Sequence, residues 1–241
     1  MDRFRADNII EVNGVRLHYA AVGTGRPILL VHGNGESHSL FDSEIEQLME
    51  AVWRVYAPDS RGHGANEPLP EYHYEDMAED MFQLICALGL EKPAYYGHSD
   101  GGIIGLLLAI RHPAILDKMA VSGVNLSPEG IDPTFLKEYT VINQHNPDPL
   151  ITLMLTEPNI DPHLLEEIRI PVLVTAGEYD LILPEETHRI AGHLPFSQLV
   201  IVPGADHGSY IVNSEVMGNL LLAFLTGEDI PYISQKGSED P

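Results

Sequence analysis

The stretch that most constrains this chain of 241 residues is Ala94-Tyr95-Tyr96-Gly97-His98-Ser99-Asp100-Gly101-Gly102. A strand-like run, residues 94–96, meets a Gly-x-Ser-x-Gly turn, and an apolar helical run, residues 103–110, follows with no linker. So abrupt a reversal demands small side chains. Gly97 and Gly101 let the strand and helix backbones pass close together, while the serine at the tip takes a strained conformation. Ser99 then stands above a sheet edge, beside a helix N-terminus whose free N–H groups favour developing negative charge.

The flanking sequence supplies the rest of a sheet. Residues 8–22 read as a hairpin turning at Asn13-Gly14. Residues 27–31 form a continuous apolar strand, as for a strand covered on both faces, and end in His32-Gly33-Asn34-Gly35. A helix over 41–50 and a strand over 52–57 lead to the loop Asp59-Ser60-Arg61-Gly62-His63-Gly64, where Arg61 is expected to pair with Asp59 or cap carbonyls. Residues 75–88 make an amphipathic helix closed by Gly89. The single cysteine, Cys86, lies in its apolar run and is expected to be a buried packing residue. After a short strand at 118–122 the character changes. Residues 125–167 contain no plausible central strand but three Asp-Pro pairs, at 132, 148 and 161, each an N-cap followed by a proline suited to the first helical position. Three short helices are expected there, forming a cap over the site; a surface excursion without substrate contact is the alternative. Strands at 170–176 and 199–202, a helix over 184–191, a final helix over 215–225 and a frayed acidic tail at 237–241 complete one domain spanning residues 1–241.

Charge and composition exclude several functions. Thirteen basic against 36 acidic residues leave a net charge of −23, which repels nucleic acid and anionic membranes and, at most, steers a cationic substrate inward. One cysteine rules out an intrachain disulfide. The charged N-terminus does not resemble a signal peptide and no run is long enough to span a bilayer, so a cytoplasmic location is the expectation. The 12 histidines scatter among loops without a metal-ligand spacing on a helix, so no metal and no cofactor are expected.

A serine hydroxyl needs a base, and the base needs an acid that fixes its tautomer. His207 and Asp180 both follow predicted strands and so reach the sheet edge where Ser99 stands. Asp206 is a weaker candidate acid, because it adjoins His207, and His98 is read as packing beneath the turn. The backbone N–H groups of Asn34 and Asp100 are candidate oxyanion donors. The Asp100 carboxylate is expected to point outward and complement the helix dipole; the alternative is that, with Glu36, it faces the pocket and binds an amine. Leu150 and Met154 of the cap are candidate pocket residues for a small-to-medium acyl group.

These motifs together (His32-Gly33-Asn34-Gly35, residues 59–64, residues 97–102, Gly177-Glu178-Tyr179-Asp180 and Asp206-His207) resemble the α/β-hydrolase-fold serine hydrolases over nearly the whole chain. The resemblance implies an α/β fold with a mostly parallel eight-stranded sheet, helices on both faces and a variable cap. It also implies Ser99 as nucleophile, Asp180 as acid and His207 as base, acting on a small-molecule ester, thioester or amide. Two relatives of the same fold, haloalkane dehalogenases and soluble epoxide hydrolases, place aspartate at the nucleophile position, and Ser99 argues against both. Carbon–carbon bond hydrolysis, cofactor-free perhydrolysis and a non-catalytic ligand-binding role are the alternatives. Ala65-Asn66 stand where the family often has a serine, a departure that bears on loop packing. The oligomeric state is not legible.

Overall fold

The computed structural model describes residues 4–234. Its strands are β1 (Asn8–Val12), β2 (Val15–Gly23), β3 (Arg26–Val31), β4 (Trp53–Pro58), β5 (Ala94–His98), β6 (Met119–Ser122), β7 (Val172–Gly177), β8 (Ser197–Val202) and β9 (Ile233–Ser234). They form one sheet in the order β1-β2-β4-β3-β5-β6-β7-β8-β9. The block from β4 through β3, β5, β6 and β7 to β8 is parallel, β1 and β2 are antiparallel at one edge, and β9 is antiparallel at the other. The expected eight strands are present, and the two-residue β9 extends the far edge. The acidic tail falls outside the described residues.

The strands read as unbroken apolar runs because both faces are covered. Leu29, Val31, Tyr95, Val121 and Val174 point into one core, while their neighbours Ile28, Leu30, Tyr96, Ala120 and Leu173 point into the other. The first core packs against α2 (Tyr74–Ala87), α3 (Asp100–Arg111) and α6 (Pro184–His193); the second packs against α1 (Asp42–Glu50) and α7 (Val216–Thr226). The hairpin turns at Asn13-Gly14 with φ of 48° and 76°, and Gly89 closes α2 at φ 62°. Among the described residues no helix is long and apolar enough to cross a membrane.

Between β6 and β7 the chain forms α4 (Pro133–His145), α5 (Pro149–Thr156) and 3₁₀ turns at Pro128–Gly130 and Pro162–Glu167. The three Asp-Pro caps form as the sequence requires: Asp132, Asp148 and Asp161 each accept backbone N–H groups of the following turn. The third of these elements is a 3₁₀ turn and not an α-helix.

Two expectations are corrected. Cys86 is exposed, because Leu84 and Ile85 take the core-facing positions of α2 and the next residue is carried round the helix. Arg61 does not pair with Asp59. It forks onto the buried Asp80, with Nε–Oδ2 2.7 Å and Nη2–Oδ1 2.5 Å, and reaches Asp76 at 3.3 Å. Asp59 instead accepts from His38 Nδ1 at 2.7 Å and from the N–H of Ala65 at 3.0 Å. Asn66 fastens that loop through Asp59, Ser60 and the N–H of His18, so its place after Gly64 serves packing.

One charged group is misplaced by ordinary rules. Glu44 of α1 is fully buried beside Ile45 and Leu48 with neither carboxyl oxygen hydrogen-bonded, and burial pushes its pKa up to about 8. The folded protein therefore holds a proton that the unfolded chain releases at the ordinary value of 4.5. Stability should fall as pH rises between those two values, by up to about 1.4 kcal/mol per pH unit, and level off above them. Denaturant titrations of wild type and Glu44→Gln across this range should show the variant's advantage growing with pH. A constant difference would contradict the assignment.

Candidate active site

Ser99 joins β5 to α3 with φ 51° and ψ −117°, a left-handed conformation that side-chain-bearing residues avoid. It is held from both sides. Ser99 N–H donates to the Ser122 carbonyl at 2.8 Å, and its own carbonyl accepts from Gly102 and Ile103. A Cβ on Gly97 would strike the Gly101 backbone, and one on Gly101 would strike the Val31 carbonyl. The two glycines are thus where β5, α3 and the end of β3 pass too closely for a side chain.

Asp180 and His207 arrive at the same end of the sheet from the loops after β7 and β8. His207 Nδ1 lies 2.7 Å from Asp180 Oδ1. That carboxylate is itself fixed by the N–H of Gly177 at 3.1 Å and of Ile182 at 3.0 Å. Donation from Nδ1–H to Asp180 leaves Nε2 with the free lone pair, the tautomer a base requires. Asp206 turns away and caps its own loop through the N–H groups of Gly208 and Ser209. His98 is buried with its ring 4.8 Å from that of His207, and burial holds it well below the usual imidazole pKa, hence neutral. His32 is also neutral, its pKa lowered to about 4 by burial and by His63; Nε2 accepts from Ser60 N–H and Nδ1 meets the Gly33 carbonyl.

Ser99, His207, Asn34, Asp100, Glu36 and Met154 line one cavity of about 160 Å³. No side-chain hydrogen bond to Ser99 Oγ forms among the described residues, and such nucleophile–base contacts commonly tighten only with substrate bound. Asp100 opens α3, where the first N–H groups have no acceptor in their own helix.

The Asp100 carboxylate corrects the outward expectation. It is buried, with Oδ1 accepting from Tyr74 O–H at 2.7 Å and Oδ2 from Asn34 Nδ2 at 3.0 Å. Burial raises its pKa against the pull of these two donors. Glu36 shares the cavity; its Oε2 accepts the Gly33 N–H at 2.8 Å, and burial raises its pKa too. A third carboxylate, Glu157 at the end of α5, lines the same wall and accepts from Tyr74 N–H at 3.1 Å and His73 Nδ1 at 2.6 Å. No lysine or arginine is among the described lining residues.

Leu150 does not line the cavity. Its side chain packs toward the core, and it meets the site through its carbonyl, which accepts from Asn34 Nδ2 at 3.1 Å. Ile151 and Met154 take the lining positions of α5. Phe135 and Tyr139, stacked at 4.3 Å one turn apart on α4, form an aromatic wall that sequence reasoning missed, although their i, i+4 spacing after the Asp132 cap was readable. Tyr74 and Glu157 were missed because their roles depend on contacts far apart in the chain.

A sequence profile for the alpha/beta hydrolase fold matches residues 26–143. The chain is 31% identical to a putative carbamate hydrolase, RutD, of Caulobacter sp. strain K31, over 88% of this chain and 95% of that one. It is 28% identical to the human serine hydrolase BPHL, over 90% of this chain and 85% of that one. Among solved structures it is similar to a thermophilic esterase from Thermogutta terrifontis, with a TM-score of 0.78 and 23% identity, covering 91% of this chain and 98% of that one.

Gly123, at φ 60° after β6, supplies a direct test of the His207 position. A Cβ there would sit 2.6 Å from His207 Cε1 and 2.8 Å from Nδ1, so Gly123→Ala should push the ring out of place. Hydrolysis of p-nitrophenyl acetate should fall at least about a hundredfold while the far-ultraviolet circular dichroism is retained. Wild-type turnover in a folded Gly123→Ala protein would show that the ring does not work from this position.

Proposed function

The chain belongs to the α/β-hydrolase family and is a serine hydrolase of that fold; from that premise we propose that it cleaves small-to-medium carboxylic esters, or related thioesters and amides, through a Ser99-His207-Asp180 acyl-enzyme mechanism. The 2.7 Å contact between Asp180 and His207, which lines the cavity together with Ser99, carries the reading. His207 Nε2 takes the Ser99 proton as Oγ attacks the acyl carbon, and Asp180 stabilises the imidazolium. The oxygen that gains charge is received by the N–H groups of Asn34 and Asp100. His207 then protonates the leaving group, and the same base activates the water that frees Ser99. No step calls for a cofactor.

A cavity of about 160 Å³ suits a small acyl group. Its charge suits a particular kind. Glu36, Asp100 and Glu157 face it with no opposing lysine or arginine among the described lining residues, and burial raises the pKa of the first two. An ammonium group seated among them favours their charged forms against that burial, so the proposed substrate carries a cation near the scissile ester.

Labelling with a fluorophosphonate and intact-mass measurement should give one adduct per chain in wild type and none in Ser99→Ala. An adduct that persists in the variant would remove Ser99 from the mechanism. Matched cationic and neutral esters should then differ in kcat/KM in favour of the cation, with the ratio falling about tenfold or more in Asp100→Asn. A ratio unchanged by that substitution would remove Asp100 from recognition while leaving the nucleophile assignment untouched.

A further inference from the structure

Outside the residues that line the catalytic cavity, His163, Glu166 and His193 bring three potential ligand atoms within 4.8 Å of one another. We propose that these residues form a binding site for a divalent transition-metal ion of the zinc type. The site clamps the turn that enters β7 to the end of α6.

Local structure builds it. Asp161 caps the turn Pro162–Glu167 by accepting the N–H of His163 at 3.0 Å, and the turn is 3₁₀. Three residues per turn places positions i and i+3 directly above one another, so His163 and Glu166 share one face. The fully buried Leu165 and the N–H of Ile168 bonded to the Leu165 carbonyl anchor the opposite side. His193, the last residue of α6, comes from 27 positions further along the chain than Glu166. No spacing rule read from the sequence could join them.

The geometry is close to that of a three-ligand site. Glu166 Oε1 lies 3.0 Å from His163 Nδ1 and 3.1 Å from His193 Nδ1, and the two imidazoles stand 5.2 Å apart at 86°. Ligand–metal distances of about 2.0–2.2 Å in tetrahedral array put neighbouring donors about 3.3 Å apart. Both Glu166 contacts match that to within a few tenths of an ångström, and rotation of the two imidazoles, whose ligand atoms lie within 4.8 Å, closes the third. Each imidazole then carries its proton on Nε2, leaving Nδ1 free to bind; Glu166 supplies a carboxylate oxygen, and water completes the shell. Two imidazoles select zinc, copper or nickel over calcium and magnesium. The position at the carboxyl end of the ten-residue α6 adds the negative end of its dipole. This site is independent of the catalytic proposal.

The test uses the full chain, stripped with a chelator and desalted, then titrated with zinc chloride by calorimetry near neutral pH. Wild type should bind one zinc with half-saturation in the micromolar range and melt at higher temperature when loaded. His163→Ala, His193→Ala and Glu166→Gln, all at accessible positions, should each weaken binding at least about tenfold and lose the thermal shift. His145→Ala, an exposed histidine on α4, should bind as wild type does. No saturation at millimolar zinc in wild type would overturn the proposal. So would undiminished binding by the His163→Ala/His193→Ala double variant, which would locate the ion elsewhere.

Discussion

The left-handed backbone at Ser99 is the constraint on which the rest of the site depends. Such a conformation costs on the order of 1–3 kcal/mol and persists only where its surroundings over-determine it. Here β5 is locked between β3 and β6, the Ser99 N–H is held by Ser122, and α3 begins at the next residue. Two glycine contacts, Gly97 against α3 and Gly101 against the end of β3, allow the approach. The hydroxyl that results is presented at the junction of a central strand and a helix.

Much of this was legible because it is local. Strand, turn and helix around Ser99 are encoded within a few residues, and so are the three Asp-Pro caps. Asp180 and His207 were readable as residues just past predicted strands, since a parallel sheet delivers all such loops to one edge. What failed depended on distant partners. Asp100 was expected to face solvent; it turns inward because Tyr74, 26 residues earlier, and Asn34, 66 earlier, supply donors that no window around residue 100 contains. Arg61 had an acidic neighbour at Asp59 but found a better fork in Asp80 on α2. Leu150 and Cys86 were misjudged by about one helical position, enough to swap a buried face for another surface.

The cavity sets two electrostatic demands against each other. The proposed reaction accumulates negative charge on an acyl oxygen, yet Glu36, Asp100 and Glu157 stand around it. Their charge is dispersed: Tyr74 and Asn34 donate to Asp100, Gly33 to Glu36, and Tyr74 N–H with His73 to Glu157. The proposed oxyanion donors are backbone groups at a helix start and a glycine-rich loop, whose polarity owes nothing to those carboxyls. The proposed cationic substrate would resolve the conflict by carrying the compensating charge in with it. The overall charge of −23 acts in the same direction at longer range.

In the proposed mechanism Ser99, His207 and Asp180 converge on one reacting carbon with the Asn34 and Asp100 N–H groups opposite. A crystal structure of the protein after reaction with a small fluorophosphonate tests it most directly. Phosphorus should be bonded to Ser99 Oγ, with a phosphonyl oxygen within hydrogen-bond distance of both N–H groups and His207 Nε2 beside the remaining oxygen while Nδ1 keeps Asp180. An adduct on another residue, or a phosphonyl oxygen pointing away from both amides with His207 swung out of reach, would contradict it.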